Sequence, residues 1–414
     1  MRRNRAGWPE RLVIVVAVSA MHLGCEDRST ESVSTGAVAV DPADEDIVRI
    51  SDVHALDLPL VELRLIHSTA TLPDLHLDRV AGAVFLPDSA LVIGDVGTRE
   101  LVFLDRDGSI RARSGRDGEG PGEYRWIERI GVGADGIPFV FDRRLRRFTF
   151  LNARGEVTRI QRLDQGAGLG AAVPLSRFEN GEVLTALETR PILPPGLQRG
   201  PVFLVLSSDL GEIVDTLGEW AGKERYVTDE WLPVGFAQTA LFAGRGRHAL
   251  VGTNDSIDLT LYRGMDPVTR LRGGYFPRRV TAQEKEEWTE RFLAMFPEDY
   301  RAGWRRRLER STIRDFYPAF GAIKVDADGR IWIGDYPKLA DELRRWTIIE
   351  PDGTPVAAVN LPVLFPLWLE ETVAVTSQPV ELLDVAHGRI AVLRRDEFDV
   401  EFVEVYEMGI NRLH

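Results

Sequence analysis

Cysteine is almost missing from this chain: 414 residues contain one, Cys25. A disulfide framework needs pairs and a cysteine-based zinc site needs several thiolates, so both are excluded. Histidine is nearly as scarce, at seven. Beyond the N-terminal segment these are His54, His67, His76, His248, His387 and His414, and no two stand at metal-ligand spacing. An excess of positive charge is also lacking. The 51 Lys and Arg against 64 Asp and Glu give a formal charge of −13, without the basic footprint that nucleic acid requires. Nor is there a Gly-x-Ser-x-Gly elbow or a comparable nucleophile signature. What is plentiful is apolar residues, 44% of the chain, enough to bury a large core.

The N-terminus reads as a targeting segment. Arg2, Arg3, Arg5 and Arg11 precede an apolar stretch, residues 12–20, too short for a comfortable membrane span. Met21-His22-Leu23-Gly24-Cys25 follows. Gly before the sole Cys resembles the bacterial lipoprotein cleavage site, which implies lipidation of Cys25, although His22 stands where Leu is usual. The other reading is ordinary signal cleavage after Ala20, leaving Cys25 a free thiol. Residues 26–46 hold Ser, Thr, Asp, Glu, Ala and Gly with no aromatic, too little apolar surface to order a chain. The expected division is therefore a signal peptide over 1–24, a tether over 25–59 and one domain over 60–410.

The domain is written in short strands. Gly115-Arg116-Asp117-Gly118-Glu119-Gly120-Pro121-Gly122-Glu123-Tyr124 cannot be a helix or a strand interior and reads as a tight crossover. Strand-like stretches follow at 127–133, 137–141, 147–151 and 156–160, parted by Ala134-Asp135-Gly136, a basic loop and Asn152-Ala153-Arg154-Gly155. Residues 115–160 resemble one NHL repeat, the blade of a class of six-bladed β-propellers. The shared features are the Gly-Pro-Gly-Glu-aromatic crossover, the Asp-Gly turn and the strand ending in Asp142. Tyr317-Pro318-Ala319-Phe320-Gly321, running into Val325-Asp326-Ala327-Asp328-Gly329-Arg330-Ile331-Trp332, repeats the pattern. More broadly the chain is similar, over about residues 60–408, to bacterial extracytoplasmic six-bladed propellers.

Six blades are expected on that basis. Blade 1 takes 80–86, 90–95, 100–104 and 109–113; blade 3 takes 175–178, 183–187, 202–206 and 212–217. Blade 4 takes 239–243, 248–252, 258–262 and 268–272, and blade 5 takes 322–325, 331–335, 345–349 and 355–359. Blade 6 has only 380–385, 389–393 and 401–406, and the alternating stretch 61–66 has no partner nearby. Pairing the two would close the ring and remove its open edges. Thr281-Ala282-Gln283-Glu284 is a capping box, with Trp288, Phe292 and Met295 at helical spacing after it. Pro297 opens a second helix carrying Tyr300, Trp304 and Leu308, with Arg305, Arg306, Arg307 and Arg310 at its end. This helical hairpin is expected to pack on the propeller; lidding the channel and docking an acidic partner are the alternatives.

The family fold puts crossovers and second-to-third-strand loops on one face, and the other hairpins opposite. The loop-rich face then gathers the Gly-rich crossover, loops over 188–200 and 220–235, and the helical hairpin. Long loops on a rigid scaffold are where binding concentrates. Glu119, Glu123, Arg125, Trp126, Arg143, Arg144, Trp220 and Trp231 are the candidate ligand-binding residues there, aromatic and Arg side chains being the usual anchors. Asp95, Asp142 and Asp335 could ring the channel around a cation, but capping of their own loops is the favoured reading. Asp105-Arg106-Asp107-Gly108 and Asp326-Ala327-Asp328-Gly329 read as hairpin turns, not calcium loops. Gly118-x-Gly120-x-Gly122 lacks the Lys-Ser/Thr of a phosphate loop and is flanked by repelling Glu119 and Glu123. His248 and His387 fall at hairpins on the sparse face.

The expected function is that of a non-catalytic binding or scaffolding module in the bacterial cell envelope, held to the membrane only through lipid on Cys25. Its partner would be a protein, peptide or small molecule, with no nucleic acid, cofactor or resident metal, and the chain would be a monomer. The alternative is a lactonase-like or lyase-like propeller enzyme with a carboxylate metal site on the loop-rich face.

Overall fold

In a propeller each blade is covered on both sides by its neighbours, so its inner strands have no solvent face to alternate against. The strands show this directly. Leu91–Asp95, Pro138–Asp142, Arg147–Leu151 and Val183–Glu188 are buried along their whole length, whereas the outermost Ile110–Ser114 and Val157–Arg162 are half-buried to exposed except at Gln161. The computed structural model describes residues 47–50, 53–162, 172–189, 191–363 and 381–409. Cys25, the signal segment and the tether up to residue 46 lie outside the described residues.

Six antiparallel sheets form a six-bladed β-propeller. Blade 1 is Val80–Phe85, Leu91–Asp95, Glu100–Leu104 and Ile110–Ser114; blade 2 is Ile127–Val132, Pro138–Asp142, Arg147–Leu151 and Val157–Arg162. Blade 3 is Ala172–Arg177, Val183–Glu188, Gly196–Ser207 and Ile213–Val227, with Trp231–Pro233 as a fifth strand. Blade 4 is Ala240–Arg245, His248–Thr253, Ile257–Arg263 and Asp266–Gly273. Blade 5 is Ala322–Val325, Ile331–Gly334, Leu343–Ile349 and Pro355–Pro362. Blade 6 is Leu382–Ala386, Arg389–Arg395 and Glu401–Gly409, completed by Glu62–Ser68. The closing strand runs antiparallel to the last one, with Glu62 opposite Gly409 and Leu65 opposite Tyr406, as the orphan strand and the incomplete blade implied. First strands of neighbouring blades meet around the axis, and apolar clusters fill the wedges between blades.

Two expectations need correction. The folded body begins before residue 60: Ile47–Ile50 pairs in parallel with residues 270–273 on the outer edge of blade 4, and Val53 is fully buried. From there the chain crosses blade 5, where Arg345 donates to the Leu56 carbonyl (2.9 Å) and the Ala358 N–H to the Pro59 carbonyl (2.9 Å). A four-residue strand after a polar stretch shows too little periodicity to be seen in sequence. In blade 3, residues 196–200 and 218–227 are not loop but an extension of the outer hairpin, Gly196 pairing with Val227. Gly200, Pro201, Gly218 and Gly222 look like breakers; in the fold they attend register shifts, the places where a sheet tolerates such residues.

Between blades 4 and 5 stand helix α1 (Ala282–Ala294) and helix α2 (Glu298–Leu308). Thr281 and Glu284 form the reciprocal capping box, and Pro297 is the N-cap of α2, one residue before its expected place. Trp288 and Phe292 pack with Phe236, Val280 and Tyr317 of the propeller, so the hairpin is a satellite core. Three of the arginines at its end are engaged too: Arg305 with Glu290 (2.7 Å), Arg307 with Glu230 (3.3 Å), and Arg310 with Asp229 and Glu230.

Candidate functional site

The Gly-rich crossover is a brace, built from its own acidic residues. The Glu123 carboxylate accepts from the backbone N–H groups of Glu119 (2.9 Å) and Gly120 (2.7 Å) and from Arg116. From below, buried Arg147 donates to the carbonyls of Glu119, Gly120 and Glu123 at 2.6–2.7 Å. A Cβ at Gly118 would lie 2.2 Å from the Glu123 carboxylate, at a φ of +154°, so glycine is required there. Glu123 therefore shapes the loop, while Glu119 leaves its side chain exposed, near Arg125.

This loop delivers the chain to the start of blade 2, where four of the eight candidate residues meet. The Trp126 indole donates to Glu128 (2.9 Å), fixing the ring. Around it lie the guanidinium carbons of Arg79 (5.6 Å), Arg143 (5.3 Å) and Arg144 (5.4 Å) from the ring centre. Arg125, next to Trp126, pairs with Asp117 at 3.2 Å. Arg79 was not anticipated; it ends the crossover into blade 1 with a φ of 67°, a conformation visible only in the backbone. An indole face crowded by guanidinium groups is suited to anionic or planar ligands.

The two remaining tryptophans stand elsewhere, on the extended hairpin of blade 3. Trp220 packs edge-on against Phe242 of blade 4, with centroids 5.9 Å apart, as part of the inter-blade core. Trp231 lies under Arg225 (5.0 Å), which also reaches Glu188 (3.4 Å). Lys223 is enclosed nearby: burial, aided by Arg225 and opposed by Glu188, pulls its amine down to about 8. Across the same face Phe236, Tyr317 and Tyr336 form an aromatic group, and burial pushes Tyr336 up to about 12 against the pull of Arg344 and Arg278.

The strand-end aspartates cap loops in two of three cases. Asp95 accepts from the N–H groups of Asp78 and Gly97 and from the Thr98 hydroxyl; Asp142 accepts from the N–H groups of Arg125, Trp126 and Leu145. Asp335 instead holds His54, whose Nδ1 lies 2.7 Å from the carboxylate and whose Nε2 lies 2.7 Å from the Ala319 carbonyl. On the sparse face His387 contacts the Leu86 carbonyl (3.0 Å), and Asp326 braces its turn through the N–H groups of Asp328 and Arg330. Among the described residues no three His, Cys, Asp or Glu side chains are grouped as a metal ion would need. A further set escaped the sequence: Arg129, Arg245, Lys324 and Asp384, on the innermost strands of four blades. A lone charge in a first strand does not mark the group, because Glu128 stands beside Arg129 and Arg177 charges the first strand of blade 3.

No family model matches the chain, and no curated protein matches it in sequence. Its structure is similar to that of a candidate exported protein from Bacteroides fragilis, at a TM-score of 0.48 and 11% identity, covering 88% of this chain and 100% of that one. A member of the DUF4221 family from Bacteroides vulgatus gives 0.46 and 10%, over 85% of this chain and 99% of that one. A calcium-binding protein, regucalcin, from Agrobacterium tumefaciens gives 0.39 and 12%, over 86% and 100%. At such identities the likeness concerns the fold alone.

Proposed function

We propose that this propeller is an exported, NHL-repeat-like binding module, anchored by lipid on Cys25, that contacts its ligand through the loop-rich face without catalysing a reaction. The observation that carries the reading is the Trp126 group: a ring held by Glu128, flanked by three guanidinium groups, on a loop braced by Glu123 and Arg147. Rigid aromatic and Arg side chains supply contact area at little entropic cost, the usual make-up of a binding hot spot. The blade 3 extension and the helical hairpin belong to the same face by strand order, whereas the opposite face has short turns.

Two experiments test the parts separately. Cys25→Ser is expected to release the protein from membrane fractions, and a mutant that fractionates like wild type removes the anchor. For binding, a panel of acidic peptides and anionic oligosaccharides is screened by thermal shift. Trp126→Ala and Arg144→Ala should weaken any hit by roughly tenfold or more, as loss of an interface anchor does. A hit that ignores both substitutions places binding elsewhere.

A further inference from the structure

Charge on the innermost strands of a propeller points at the axis, and here the signs do not balance. Arg245 of blade 4 reaches across the channel: Nη1 donates to Asp384 Oδ2 in blade 6 (2.7 Å) and Nη2 to the Phe85 carbonyl in blade 1 (3.1 Å). The same Asp384 oxygen accepts the Phe85 N–H (2.7 Å), so Arg245 and Asp384 are committed to each other and to blade 1. Two cations remain. Arg129 of blade 2 donates Nη2 to the Gly244 carbonyl (3.1 Å), while its buried Nε has no hydrogen-bond partner. Lys324 of blade 5 donates to the Leu383 carbonyl (3.2 Å). Among the described residues neither makes an ion pair; each rests on a neutral carbonyl.

Three cations thus share Asp384 deep in the fold; Glu381 also acts on Lys324, but it is taken up by Arg344 and the Trp346 indole. Burial, reinforced by Arg129, pulls the Lys324 amine down to about 8, and burial pulls Arg129 down to about 10 with only Asp384 opposing. Yet both residues are only half-buried, as residues on the innermost strands are where they line the axis. Blade 1 leaves room there: a Cβ on Gly82, in its innermost strand, would meet nothing within 4 Å. Enclosed like charges without counter-charge are costly, and the cost is relieved by any anion small enough to enter. A guanidinium beside an ammonium is the donor set that oxyanions use.

We propose that the central channel holds a small oxyanion of the phosphate or carboxylate class, bound by Arg129 and Lys324 above the fixed Arg245–Asp384 pair. This site is separate from the Trp126 face and stands whether or not that face binds a ligand.

Inorganic phosphate is the probe. Calorimetric titration of the protein, dialysed free of phosphate and held at constant ionic strength, is expected to show saturable binding of about one phosphate per chain. Lys324→Met and Arg129→Met should each weaken it by roughly tenfold or more, the scale of one charge-assisted contact. Arg159→Gln, on the exposed outer strand of blade 2, serves as the control and should bind like wild type. Melting with phosphate against equal ionic strength of chloride gives a readout on wild type alone, should Arg129→Met fail to fold; a phosphate-specific rise is expected. Wild type that shows no saturable heat up to about 10 mM and no phosphate-specific rise, or binding that survives both channel substitutions, overturns the site.

Discussion

Trp220 and Trp231 look alike in the sequence and part company in the structure. Trp220 meets Phe242 across the gap between blades 3 and 4, so Trp220→Ala is expected to cost about 3 kcal/mol, the lower end of the range for large aromatic truncations because the ring is only partly buried. Trp231 rests under one Arg at the end of a short strand, and its truncation should cost less than about 1 kcal/mol. Thermal melts of both mutants check this, and similar losses would refute the distinction. Lys324 gives a second expectation, in pH. Folding lowers its pKa from 10.5 to about 8, so between these values the unfolded chain holds a proton that the folded chain has released. Stability contributed by this group therefore rises from about pH 8 to 10.5, and the penalty is complete below 8. Lys324→Met should be more stable than wild type at pH 7 and should lose most of that advantage by pH 10; urea titrations at both pH values, free of phosphate, decide it. Residue identity was legible where a side chain serves its own loop, as with Asp95 and Asp142, because such caps depend on neighbours in sequence. It was illegible for Arg129, Arg245, Lys324 and Asp384, which become one group only when four blades converge on an axis.

At the level of elements, the capping box before α1 and the closing strand were both readable, for opposite reasons. The first is local chemistry, with Thr281 and Glu284 exchanging hydrogen bonds over three residues. Thr281→Ala should cost about 1 kcal/mol by melting, the usual worth of an N-cap. The second was found as a deficit, since blade 6 lacked a strand and residues 61–66 lacked a partner. Deleting residues 60–68 would strip Glu401–Gly409 of its outer neighbour and remove Val61 and Leu63 from the cluster holding Tyr406 and Met408. The expected result is a loss of several kcal/mol and concentration-dependent self-association through the bared edge, seen by melting and size-exclusion chromatography. A deletion that melts and elutes like wild type would contradict the pairing. The strand at Ile47–Ile50 and the long hairpin of blade 3 stayed hidden because one is too short for a period and the other is interrupted by glycines at its bulges.

Taken as a whole molecule, the chain begins where it ends. The first described residues touch blade 4, then blade 5, then blade 6, all of which are made from the second half of the sequence. Residues 47–50 find their partner once blade 4 exists, and residues 62–68 only with the last strand. That second pairing must wait for residue 409, and such long-range closure is the slow kind. The register also offers a direct rearrangement: Glu62 lies opposite Gly409, so a two-residue turn could carry residues 62–68 on from the C-terminus as an ordinary hairpin. Such a permuted chain, which forgoes residues 47–61 and their contacts with blades 4 and 5, should refold faster than the natural order while closing the same six blades, because its last blade no longer depends on a loop spanning the whole ring. Closure of the ring in the natural order is consequently a proofreading step on the last blade: a chain truncated anywhere before residue 401 leaves residues 62–68 without the strand they pair with, even though residues 47–50 still reach blade 4.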